Sequence, residues 1–462
     1  MKRFVQILTL ALLAITMIGC STSSQNSDPN PNAKPAVFVT GEDAPVSSVV
    51  AFNITIDKIT LNNSSTTATV LSTPTAVDFG RLVGLRSLLG FNTVAPGTYT
   101  SATVTFETSN PAPSINYVDL TTTPPSLGTV TGVLSSATVT VPFPTGKPLV
   151  VGNNGLAGLH MDFDLRDSLA IDGSGNLIIN NNQINVTPVL DVMAVSASDE
   201  LGEITDFTGN IVSVNTSGNT FLMQGPYGFQ EVIDVNANTL FNGSNSLSSL
   251  TPDSIVSVEG TVQADGSILA SSVELITTDK AFISGRILAI APGPVVTMFV
   301  GEELGASAVY SVDSVQQIDL SQVSQYDICF IDNWFTNELF NATSMVVGQR
   351  ILVGGTVAGT TFTPDMVSLR RQGVIGSLVQ NSVNITAGNQ GNFQMQNDAL
   401  MSYSAGGPFT VYTVNKTLFV NIDGLSGLQS AGAANLVSRG LVFYDPTTQK
   451  PVVWAHRVRV LP

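Results

Sequence analysis

Past Pro35, apolar and polar residues alternate in short runs rich in Val, Ile, Thr and Phe. Examples are VVAFNITIDKITL from Val49, SATVTFET from Ser101, ATVTVPF from Ala137 and NLIINNNQINV from Asn176. A period of two puts successive side chains on opposite faces, which predicts half-buried strands, and the Gly, Asn, Pro and Ser that bound each run predict turns. Helical periodicity extends nowhere beyond two or three turns. The best short candidates are GRLVGLRSLLG from Gly80 and the stretch from Ala431 to Ser438. The expected fold class is all-β.

The pattern also repeats. FTGNIVSV from Phe207 matches ISGRILAI around Gly285 and VIGSLVQN around Gly376. Later segments match as well: VSVEGTV at Gly260, ILVGGTV at Gly355 and LVSRGLV at Gly440, each followed by a turn and a final strand, ILASSVEL, FTPDMVSL or VVWAHRVRV. Such self-similarity predicts tandem modules, here 204–278, 279–371 and 372–462. The second carries extra material, placed around Tyr326 to Phe340 (YDICFIDNWFTNELF). Small antiparallel modules must protect their edges, and closing into an OB-like barrel of five or six strands does so. Residues 36–200 lack the repeat, and their strand density suits a β-sandwich. Ser196–Glu203 (SASDELGE) is the expected link between the two parts.

The first 20 residues read differently. Lys2 and Arg3 precede an apolar stretch from Phe4 to Ile18, then Gly19 and Cys20. That apolar core, at ~15 residues, is short of the about 20 a membrane span needs, so 1–19 is expected to be an export signal. The Ile18-Gly19-Cys20 ending resembles the lipobox of bacterial lipoproteins, which implies that Cys20 becomes a lipid-modified first residue. Several acyl chains, at ~0.8 kcal/mol per buried methylene, anchor a protein without a transmembrane helix. Residues 20–35 then read as a flexible linker rich in Ser, Asn and Pro. Only two Cys occur. If Cys20 is alkylated, Cys329 has no internal disulfide partner and is expected to be a small buried hydrophobe.

Composition removes some classes. Charged residues make up 11% of the 462 and hydrophobic residues 43%, ample for buried cores. A net charge of −16, with scattered basic residues, does not match a nucleic-acid backbone, so no nucleic-acid partner is expected.

Two family resemblances follow from particular segments. GEDAPV from Gly41, ITIDKITL from Ile54, VDFGRLVGL from Val77, APGTYT from Ala95, and LHMDFDLRDSL followed by TPVLDV resemble the bacterial family called domain of unknown function 4382. The repeated modules, each with a Gly-initiated first strand and a late V-x-G-T/x-V strand, resemble domain of unknown function 5666. These resemblances imply a secreted or lipid-anchored bacterial β protein and carry no activity with them.

Candidate chemistry is sparse. Only two His are present, which limits Ser-His-Asp catalysis. His456 alternates with Val452, Trp454 and Val458 and is expected to be part-buried. In LHMDFDL, His160, Asp162 and Asp164 share one strand face, expected to look outward, with Leu159, Met161 and Phe163 on the other. With Asp167 and the IDGSGN loop bearing Asp172, they are candidate metal ligands, the four carboxylates for Ca²⁺ in particular, against the alternative of a solvated polar face. Tyr326, Trp334 and Phe335 are candidates for an aromatic sugar platform, or else fill a core or a module interface. The leading expectation is a non-enzymatic, lipid-anchored binding, adhesion or scaffold protein of the cell envelope, on a bacterial outer membrane, with a polysaccharide or other envelope component as partner. The alternatives are a glycan-active hydrolase using paired carboxylates, such as Asp162 with Asp164 or Glu302 with Glu303, and a calcium-stabilised surface stalk.

Overall fold

Strands dominate because the alternating segments bury one face and pair with neighbouring strands. The computed structural model describes residues 34–461, except 45, 47, 83–84, 109–110, 120–121, 123–125, 173–175, 226–229, 244–245, 278–279, 306–309, 330–339 and 398–407. The signal, Cys20 and most of the linker therefore lie outside the described residues, as do Trp334 and Phe335.

The N-terminal unit has two main sheets. One is four-stranded, in the order Leu190–Val195, Leu156–Asp164, Ala36–Ala44 and Ser87–Thr93. The other is built on the long strand Val49–Asn62. Between them lies an apolar core in which Phe163 meets Phe52, Phe79 and Phe106 at ring-centroid distances of 5.1, 5.0 and 5.9 Å. Ala36–Ala44 and Leu156–Asp164 run parallel.

Three sheets follow with one shared strand order. In the first, Glu203–Asn215 pairs with Thr220–Gln224, which pairs with Gln230–Asp234. That third strand lies parallel to the last, Ile268–Thr277, whose hairpin partner Ile255–Val262 returns to the first strand. The circuit is a closed five-stranded barrel of OB-like order, with a short extra strand, Leu240–Asn242, parallel to the last. The sheet at 372–460 closes in the same way, through Pro408–Thr413 parallel to Lys450–Val460. Between them, Ala281–Ala291, Val295–Leu304, Ser314–Asp319, Gln325–Ile328, Arg350–Ala358 and Thr361–Leu369 repeat the order as a six-stranded sheet.

The repeated glycines have one physical cause. At Gly285 the register shifts, and a Cβ would run into the Phe299 carbonyl; at Gly440 it would run into the Trp454 carbonyl. Gly209, Gly376, Gly260 and Gly355 meet a partner carbonyl in the same way. Each lets two backbones approach where the strand must bend, the curvature a small barrel needs.

Three expectations change. Leu88–Gly90 belongs to strand Ser87–Thr93 rather than a helix, because it pairs along Ala36–Ala44; only Phe79–Arg81 forms a 3₁₀ turn. The later helix is Gly424–Ala431, not Ala431–Ser438: Leu425 and Leu428 share its buried face, Gly432 leaves it with positive φ, and Asn435 opens a strand. Tyr326 is not insertion material, since Gln325–Ile328 corresponds to the short strands Leu240–Asn242 and Leu418–Val420, each parallel to its module's last strand.

Candidate functional site

The polar face of LHMDFDL does not look outward. Leu156–Asp164 has neighbours on both edges, its apolar face covers the sandwich core, and the start of the first barrel lies against its other face. His160 is fully buried. Thr40 Oγ1 donates its one proton to the Leu201 carbonyl at 2.9 Å, so His160 Nδ1 donates to Thr40 Oγ1 at 3.1 Å. Its Nε2 then faces Glu42 at 3.8 Å. Burial and the neighbouring Glu42 push the Asp162 carboxyl up to about 7.

The other proposed ligands have local duties. Asp164 accepts from Asp167 N at 3.0 Å and caps the helical turn Leu165–Ser168. Asp172 accepts from Asn176 N at 2.9 Å across its turn. Among the described residues, no three His, Cys, Asp or Glu side chains gather closely enough to hold a metal ion. Within the suggested carboxylate pair Glu302/Glu303, Glu302 is buried against Arg81 and Arg350, while Glu303 accepts from Tyr310 N at 3.2 Å.

Glu42 opens a seam of buried charge that joins all four units. It faces Arg86 and, from the last barrel, Arg459, each at 3.6 Å. Arg86 also donates through Nε to the Glu203 carbonyl at 2.9 Å. The first barrel supplies most of the remaining carboxylates and the next two supply guanidiniums. Asp206 takes Arg370 at 2.6 Å and Arg350, Glu274 takes Arg370 at 2.9 Å, and Glu259 takes Arg371 and, at 3.3 Å, Arg439. Arg81 reaches Glu302 from the N-terminal unit into the six-stranded second module. Burial pushes Asp206 up, but Arg370 and Arg350 outweigh it and hold the carboxyl far below the usual range. Glu259 is likewise lowered, because Arg371 and Arg439 overcome its burial. Cys329 lies against this seam, and burial raises its thiol to about 11, so it stays protonated. His456 is held neutral by burial and by Arg371, Arg439 and Arg457.

Two stretches of the chain match family models. Residues 37–181 match the family model described as domain of unknown function DUF4382. Residues 202–274 match a second, DUF5666. The DUF5666 match covers the first barrel, and the two later sheets share its strand order. No curated protein matches the chain.

Among the described residues several clefts open to solvent, and two of them bear on ligand binding. One, of about 410 Å³, lies where the second module meets the last barrel, and Tyr412 and Trp454 stack on one wall with centroids 4.7 Å apart. Tyr326 is not exposed there as a platform; it packs edge-on to Phe340, which in turn meets Phe443 of the last barrel. The larger cleft, about 840 Å³, separates the DUF4382 region from the DUF5666 barrel. Leu88, Phe91, Val232 and Gly266 line it, and Glu231 sits at its inner end, where burial pushes its carboxyl up to about 7. Sequence reasoning passed over Glu231. Its only signal is a lone acid in the short strand QEVID, which is unremarkable until the barrel mouth is set against the sandwich.

Proposed function

We propose that this chain is a cell-envelope protein, tethered by lipid on Cys20, whose β body acts as a non-enzymatic binding or scaffold module on a bacterial outer membrane. The observation that carries the reading is the buried ionic seam. It ties four units into one stiff body, a property suited to holding surfaces at a set distance and orientation rather than to turnover. The two His support it too, since one is enclosed by Thr40 and Glu42 and the other is held neutral by burial. Among the described residues no helix is long and apolar enough to cross a membrane. The expected partner is another envelope component.

The tether is tested by feeding cells radiolabelled palmitate. Wild-type chain should carry label and partition into detergent, whereas Cys20→Ser should carry none and enter the soluble fraction. Equal labelling of the two would overturn the lipid anchor.

A further inference from the structure

The larger cleft has walls made of strand edges. Ser87–Thr93 is the outer strand of its sheet, bonded on one side to Ala36–Ala44. Among the described residues Thr75–Asp78 pairs only with Val49–Asn62. In Gln230–Asp234, the parallel pairing that closes the barrel begins at Ile233, so the second edge of Gln230–Val232 has no strand beside it among the described residues. Consecutive residues of all three line the cleft: Thr75 and Ala76, Leu88 to Phe91, and Gln230 to Val232. An open edge is a template for another strand. The volume, about 840 Å³, falls within the ~300–1,000 Å³ typical of ligand pockets.

The charge in the cleft selects among strands. Glu231 shares the inner end with Leu88, Leu89, Phe207 and Ile268. The charged groups nearby are Asp78 and Arg81 at that end and Asp265 at the rim. Arg81 is engaged by Glu302, so its charge is already balanced. A carboxylate in an apolar wall favours a cation, and the whole chain, at −16, attracts one from a distance.

We propose that this cleft binds an extended peptide segment of a partner protein by strand addition, with apolar side chains on the wall formed by Leu88, Phe91 and Val232 and a Lys or Arg side chain over Glu231. This deepens the binding reading by naming the partner's chemistry, but it does not depend on the anchor, because peptide binding and acylation are read separately.

The test is fluorescence polarisation on the full chain in mild detergent. The probe is a fluorescein-labelled heptapeptide of alternating Val and Thr with a central Lys, and it should bind saturably. Replacing the Lys by Glu, or Glu231 by Gln in the protein, should weaken binding by about tenfold. N-methylation of alternate peptide nitrogens, which removes the donors that strand addition needs, should abolish it. Binding should also tighten from about pH 6 to about pH 8 as Glu231 ionises, and Glu231→Gln should remove most of that dependence, leaving the part contributed by Asp78, which titrates at about 6 at the same end. No saturable binding, equal binding of the Lys and Glu peptides, or an undiminished affinity after N-methylation would overturn the proposal. Lysine amide binding as tightly as the peptide would also reject strand addition, leaving a simple cation site.

Discussion

At the scale of single residues, the molecule is governed by carboxylates that burial treats in opposite ways. Asp162, pushed to about 7 by burial and Glu42, and Asp78, pushed to about 6 chiefly by burial, keep their protons in the folded chain at pH values where the unfolded chain has released them. Their stabilising contribution is complete below about pH 4 and is lost as pH rises toward about 7. Asp206 and Glu259 are depressed instead, so their contribution holds above about pH 4 and is lost as pH falls below it. The melting temperature should therefore peak at about pH 4 and fall between about pH 4 and about pH 7, and Asp162→Asn should flatten that fall. A variant that melts with the same slope as wild type would refute the assignment to Asp162. The alternation in LHMDFDL showed correctly which side chains share a face. It could not show that the polar face is covered, because period two reports sidedness and says nothing of what packs on either side.

Among the elements, the recurrent glycines mark where strands bend into barrels. Adding one methyl at Gly440 would drive Cβ into the Trp454 carbonyl, which the backbone cannot relieve without opening the hairpin. Gly440→Ala should cost about 1–3 kcal/mol, as overpacking does, read as a lower urea midpoint. Gly152→Ala, where nothing lies within 4 Å, is the control and should leave the midpoint in place. Equal midpoints for the two variants would disprove the role given to Gly440. This level was the most legible in the sequence. The glycine pattern found the repeated strands, since a backbone that tolerates no Cβ leaves a mark on residue identity. Helix placement was less legible: Leu88–Gly90 has apolar spacing that suits either a short helix or an edge strand, and only pairing with Ala36–Ala44 decides.

For the whole molecule, ion pairs across four units run alongside apolar contacts between them, such as Phe38 in the first barrel's core and Phe443 in the second module's. Removing one member of a buried pair strands the other, at about 3–5 kcal/mol. Asp206→Asn leaves Arg370 and Arg350 short of charge, so it should lower stability by roughly that amount and split one calorimetric transition into separate melting of the units. Because the pairs are buried, salt at about 1 M should move the wild-type midpoint little. A single unshifted transition in Asp206→Asn would show that the seam does not couple the units.

By itself the sequence determined the all-β class, the strand boundaries around each glycine and the acidic character of the chain. These follow from local rules of side-chain alternation, backbone sterics and composition, each legible within a few residues. Tertiary structure alone decided that His160 is enclosed, that Glu302 is spent on arginines and that Glu231 lies at the end of a cleft. A side chain's solvent and partners come from segments far along the chain: Glu42 meets Arg459, and Asp206 meets Arg370, only after the units have docked.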